Sequence, residues 1–225
     1  MHETAIATAM KTGRLRERRN SMIRKCMLTA LFCITAAALI FGCGKDYGKV
    51  DQGRVIEFDR EKGTVTLIRD LKTDPGSPEY THLPPLTYTL PKNSSDIGAD
   101  PKTGYRMKLD TKKSQIIIFE PNAKNFKTID YKLLKQTDGV EKDDLLVYDK
   151  AAGKVKEFPV IDKPAKTITI YSRRQKILTT FNVPDEYLAL PVKTWEAGDD
   201  VRIDYKEDGK ALRFTNISRT DNYRK

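Results

Sequence analysis

The chain has 225 residues, with 41 Lys and Arg against 31 Asp and Glu and a formal net charge of +10. Three Cys and two His in that length exclude a disulfide-dense scaffold and a His-rich zinc module. Residues 1–21 are polar and basic, with Arg14, Arg16, Arg18 and Arg19, and a complete targeting signal begins again at Met22. They read as a start codon placed too early, with an extended n-region as the alternative, and they are left out of the fold argument.

Residues 22–42 follow the order of a secretory signal. Met22-Ile-Arg-Lys supplies a short basic start, and Cys26 to Phe41 supply sixteen mostly apolar residues. Sixteen is short of the roughly 20 that a membrane-spanning helix needs. The run ends in Ile40-Phe41-Gly42-Cys43-Gly44, which resembles a bacterial lipobox, although Phe41 stands where a smaller residue is usual. The resemblance implies cleavage between Gly42 and Cys43 and a diacylglycerol on the Cys43 thiol. Gly44, with no Asp in that place, resembles cargo sent to the outer membrane. Ordinary signal-peptidase cleavage and a buried core helix are the competing readings.

Removing residues 1–42 takes away 7 of the 41 basic and 2 of the 31 acidic side chains, leaving 34 and 29. A net +5 with interleaved signs reads as a solvated surface, not a nucleic-acid footprint. Cys26 and Cys33 leave with the signal and lipid consumes Cys43, so no thiol remains for a disulfide, a nucleophile or a metal. One histidine, His82, remains, so a Ser-His-Asp arrangement would have to use it. The expected cofactor and metal sets are both empty.

Residues 43–52 read as a tether. Beyond it, Arg54 to Phe58 and Thr64 to Ile68 alternate on either side of Asp59-Arg-Glu-Lys-Gly63, which predicts a hairpin with Gly in the left-handed position. The same device recurs in Leu145–Tyr148 and Lys154–Phe158 around Asp149-Lys-Ala-Ala-Gly153, and in Val201–Tyr205 and Ala211–Phe214 around Lys206-Glu-Asp-Gly209. Further strands are predicted over 86–90, 105–109, 115–119, 167–171 and 176–183, with a helical turn over 185–190. Prolines at 75, 78, 84, 85, 121, 159 and 184 fall between these segments and can end strands.

The segment 143–158 lines up with 199–214: paired acids, an alternating strand, Gly-Lys and a closing Phe coincide. This reads as reused hairpin chemistry with an ancient repeat behind it as one option. Gly198-Asp-Asp-Val-Arg-Ile followed by Asp208-Gly-Lys is similar to the closing hairpin of small OB-like periplasmic barrels. Lys142 to Val155, Pro184 to Pro191 and Gly198 to Ile203 carry a broader likeness: residues 43–219 resemble an uncharacterised family of small lipoproteins from sulfate-reducing bacteria. That resemblance implies an envelope lipoprotein with no assigned activity and carries over no catalytic residues.

The expected fold is all-β, with short antiparallel strands forming one elongated barrel or sandwich, or two small OB-like barrel units, after an N-terminal signal helix. A first unit would span 53–142, a second 143–219, and 220–225 would be a tail. Candidate chemistry is thin. The Asp-x-x-x-Gly loops lack the oxygens of an EF-hand and are explained by turn chemistry. The pairs Asp143-Asp144, Asp185-Glu186 and Asp199-Asp200 sit where solvated charge is expected. Tyr80, His82 and Tyr88 could form an aromatic patch for a sugar or peptide, against a loosely packed loop as the plainer reading. Trp195 reads as core or rim packing. Tyr105-Arg106 and Tyr171 to Arg174 superficially match a single-strand nucleic-acid surface, but half-buried strands contain the same residues.

The expected function is that of a lipid-anchored envelope protein, non-enzymatic, binding or scaffolding another envelope protein or glycan, without nucleic acid. It would sit at the outer membrane facing the periplasm. An envelope hydrolase working through His82 with nearby acids, or a polyanion binder, is the alternative.

Overall fold

A computed structural model describes residues 48–220 except 73, 75 and 76. The signal segment, Gly42, Cys43 and the tail after 220 lie outside the described residues. Fourteen strands run in chain order: β1 (Lys49–Asp59), β2 (Thr64–Arg69), β3 (Leu86–Thr89), β4 (Arg106–Asp110), β5 (Gln115–Glu120), β6 (Asn125–Asp130), β7 (Lys132–Asp138), β8 (Tyr148–Asp149), β9 (Lys154–Val155), β10 (Val160–Asp162), β11 (Thr167–Ser172), β12 (Ile177–Asn182), β13 (Asp200–Glu207) and β14 (Lys210–Asn216). Two single-turn helices, α1 (Asp185–Leu188) and α2 (Val192–Trp195), precede β13. Among the described residues no helix is long and apolar enough to cross a membrane.

Five strands close a barrel in the order β1-β13-β14-β3-β2. All its pairings are antiparallel except β14 with β3. β1 begins at Lys49, inside the span expected as a tether, because Lys49 to Arg54 pair with Tyr205 to Asp200. The barrel therefore joins a strand from the start of the body to strands from its end, across the boundary expected at 142/143. The described residues form one compact unit. Between β3 and β13 the chain builds a three-stranded sheet, β4-β5-β6, and a four-stranded one, β10-β11-β12-β7.

Three of the four apolar clusters among the described residues organise this body. Val55, Leu67, Tyr88, Val201, Ile203 and Phe214 fill the barrel. Ile116, Ile129, Ile168, Ile170, Phe181 and Trp195 form a core shared by the two inserted sheets. Ile56, Ile68, Tyr80, Met107 and Phe119 form a third, joining barrel strands to β4 and β5. Neighbours in β1 and β2 thus serve different cores: Val55 and Leu67 the barrel, Ile56 and Ile68 the third cluster. Successive strand residues point to opposite faces, so a strand covered on both sides loses its polar alternation. A bulge between Val55 and Glu57 adjusts the ladder at this point.

The turns repeat one design. Asp59, Asp110, Asp149 and Asp162 each accept, through the side chain, the backbone N–H three residues on (Lys62, Lys113, Ala152 and Ala165). The next residue takes positive φ: Gly63, Ser114, Gly153 and Lys166. These carboxylates are spent on their own turns, the chemistry that the Asp and Gly spacing implies. Lys124 and Lys176 take the same left-handed position in two further turns.

Two predicted strands do not form as expected: Lys154–Phe158 keeps only Lys154 and Val155, and Leu145–Tyr148 keeps only its last residue. Over 143–148 the chain turns: Asp144 accepts the Leu146 N–H through its side chain and the Val147 and Tyr148 N–H groups through its carbonyl. Only Tyr148 and Asp149 remain to pair with β9. The likeness between 143–158 and 199–214 therefore does not extend to equal hairpins.

Candidate functional site

The three residues singled out as an aromatic patch are not gathered into one. Tyr88 on β3 faces the barrel interior, its ring 5.3 Å from that of Tyr205. Tyr80 lies in the third cluster, on a segment held to β2 by the Asp70–Tyr80 bridge. His82 is half-buried between them, and no described carboxylate hydrogen-bonds it. Two surface depressions, of about 420 and 290 Å³, are lined by Glu141, Lys142, Asp143, Tyr171 and Arg173 and by Lys163, Lys166, Asp185, Leu188 and Ala189; neither includes His82. Among the described residues no group of three His, Cys, Asp or Glu is placed to hold a metal.

Each tyrosine instead anchors a buried polar knot. Tyr88 donates a short hydrogen bond to Asp51 Oδ2. Arg69 Nε lies 3.0 Å from Asp51 Oδ1, an ion pair without hydrogen-bond alignment. Tyr80 donates to Asp200 Oδ1 at 2.6 Å. Arg54 stacks over the Tyr80 ring, its guanidinium carbon 4.1 Å from the centroid.

Around Tyr80 the structure assembles a cluster that sequence reasoning missed. Arg54, only 4% exposed on β1, donates through Nη1 to the carbonyls of Arg106 and Met107 at 3.1 and 2.9 Å and through Nη2 to the Tyr80 hydroxyl at 3.3 Å. Its Nε is 3.5 Å from Asp200 Oδ1. Arg106, at the start of β4, donates Nε–H to the Trp195 carbonyl at 2.9 Å. Arg174, in the turn between β11 and β12, brings Nη2 to 3.8 Å from Asp200 Oδ2. Two guanidiniums, Arg54 and Arg174, thus flank the Asp200 carboxylate, and Arg106 lies near enough to feel both of their charges. Burial, reinforced by the charges of Arg54 and Arg174, pushes Arg106 down to about 9, so it remains a cation at neutral pH.

Asp199 and Asp200, expected as solvated charge, are both structural and serve different partners. Asp200 holds the arginine cluster, whereas Asp199 Oδ2 accepts from the Lys102 backbone and from Asn216 Nδ2, both at 2.9 Å. Asp185 does stand in solvent, paired with Lys166. Trp195 is fully buried. The signal for the cluster was present: Arg106 and Arg174 belong to the two segments where aromatic and basic residues mix. Alternation alone does not say that these arginines turn inward.

The buried hydroxyls carry a pH prediction. Burial pushes both tyrosines well above the usual value; the Asp51 hydrogen bond adds to this for Tyr88, while Arg54 opposes and Asp200 reinforces it for Tyr80. A proton held more tightly in the folded state stabilises it fully below the unfolded pKa of about 10, and that contribution is lost as pH rises further. Tyrosinate absorbance followed beside circular dichroism checks this. The last tyrosinates should form together with loss of the β signal; ionisation of all ten tyrosines in an intact fold would contradict it.

No curated protein and no solved structure matches the chain. A family described as Domain of unknown function (DUF4881) matches residues 46–225, and the chain belongs to it.

Proposed function

We propose that this protein is a lipid-anchored envelope protein whose β body binds or scaffolds another envelope component without catalysis. The observation that carries the reading is the order of the sequence: a basic start, an apolar run and Gly42-Cys43, followed at residue 46 by the family domain. The anchor has a simple physical basis. Each buried methylene contributes about 0.8 kcal/mol, so one acyl chain holds marginally and two or three hold firmly. Gly44 after the lipidated Cys supports the outer membrane as destination. The likeness to small lipoproteins of sulfate-reducing bacteria agrees with this address. The non-catalytic part is supported by the polar groups of the body: among the described residues Asp51, Asp199 and Asp200 are committed to internal partners, and His82 has no carboxylate at hand.

Fractionation of cells expressing the wild-type protein and Cys43→Ala tests the anchor. The wild type is expected in the membrane fraction, with a mass increased by acyl chains on a chain starting at Cys43. The variant is expected to lose that mass and leave the acylated fraction. Unchanged mass and unchanged membrane retention in Cys43→Ala would refute the reading.

A further inference from the structure

The arginine cluster is not electrically closed. Guanidiniums keep their charge in proteins. Arg54 and Arg174 face the carboxylate Asp200, and Arg106 feels the charges of both arginines and of Glu196. Glu196 is shared with Lys102 at 3.1 Å, so four cations face two carboxylates and two positive charges remain in surplus. Arg54 acts as a cross-link between β1, β4 and the Tyr80 segment. Arg106 is different: it is 8% exposed, its Nε–H is spent on Trp195, and no carboxylate lies within ion-pair distance of it among the described residues. Arg174 is 36% exposed and holds Asp200 at 3.8 Å, beyond hydrogen-bond length.

A buried cation without a counter-ion is costly, and the cost falls when an anion supplies the missing charge. We propose that Arg106 and Arg174, beside the Arg54–Tyr80–Asp200 knot, form a binding site for a doubly charged tetrahedral oxyanion, a phosphate or sulfate group. Two negative charges match the surplus. The planar N–H forks of arginine suit paired oxygens of such a group. Arg174 gives the anion a route from solvent and an adjustable second clamp, while Arg106 supplies the desolvated charge. Asp200 keeps Arg54 and Tyr80 in place and repels a second anion. The site is separate from both surface depressions and does not depend on acylation of Cys43.

The test is thermal unfolding of the purified full-length protein with increasing inorganic phosphate or sodium sulfate, against sodium chloride at equal ionic strength. Either oxyanion should raise the melting temperature saturably beyond chloride, and comparing the two titrations tells which group the site prefers. Arg174→Gln, at a side chain 36% exposed, should weaken the affinity at least about tenfold, the loss expected for one charge-assisted contact. Arg106→Gln should abolish the response; if that variant does not fold, Arg174→Gln decides. No effect beyond chloride, or equal affinity in Arg174→Gln, would overturn the proposal. Repeating the titration on Cys43→Ala keeps this outcome distinct from that of the anchor.

Discussion

Gly198→Ala is expected to destabilise the protein by about 3 kcal/mol or more, among the larger effects a single methyl can have. A Cβ built at Gly198 lies 1.9 Å from the carbonyl oxygen of Val55 and 3.1 Å from the Gly104 nitrogen. These are backbone atoms, so no side chain can move aside. Gly104 is equally confined, its Cβ position 2.4 Å from the Glu196 oxygen. The two glycines mark where three backbones meet: Gly104 N–H donates to Val55, Val55 N–H to Asp199, Arg106 N–H to Glu196 and Asp199 N–H to Lys102. Relieving the clash means moving β1 at its bulge, which disturbs both the barrel core and the third cluster. For a body of this size the melting temperature should fall by about 10 °C. Gly63→Ala is the control, because nothing lies within 4 Å of its Cβ position and only the left-handed φ of 63° opposes the substitution. It should lose about 1 kcal/mol. Denaturant unfolding of the two variants checks the difference, and equal losses would contradict the junction.

Arg54→Ala is expected to cost about 3–5 kcal/mol, the range for removing one partner of a buried ionic network. The change strips the Arg106 and Met107 carbonyls of their donor, removes the nearer of the two cations over the Tyr80 ring and removes a charge next to Asp200. Arg54→Met restores much of the side-chain packing without the N–H groups, so the gap between the two variants isolates the stem's contribution. Lys166→Ala is the contrast. Its partner is Asp185, both side chains stand mostly in solvent, and stability should be nearly unchanged. Chemical denaturation reads all three, and an Arg54→Ala loss no larger than that of Lys166→Ala would sink the structural role of the cluster.

The anion proposal and the Arg54 prediction separate two functions within one cluster. Arg54 holds several internal partners and its loss should be felt in stability. Arg174 has two loose contacts, Asp200 at 3.8 Å and the Tyr80 ring at 5.9 Å, and its loss should be felt in affinity. Measuring both quantities on both variants distinguishes a polar cross-link from a binding site.

Strands were legible in β1, β2, β5 and β11, where alternation met a turn of the Asp-and-left-handed type. β7 was not, because Lys132-Leu-Leu-Lys-Gln-Thr-Asp138 has no period of two and is exposed through its first four residues. It is a strand because β12 pairs with it. Conversely, the alternation over 143–148 yielded to Asp144, whose side chain and carbonyl both capture backbone N–H groups locally. Pairing partners and competing local hydrogen bonds are outside what periodicity encodes.

The amino-acid order alone determined the all-β class, the turn chemistry and the expectation of a targeting signal ending at Cys43, because each depends on neighbours within a few residues. Only the tertiary structure decided that β1 closes against β13, that Tyr80 and Tyr88 serve separate cores, and that Arg54 and Arg174 meet at Asp200 with Arg106 nearby. A strand's pattern says which side chains leave one face together. It does not say which distant strand or charge they will meet, since that is set when the barrel closes and the inserted sheets pack beside it.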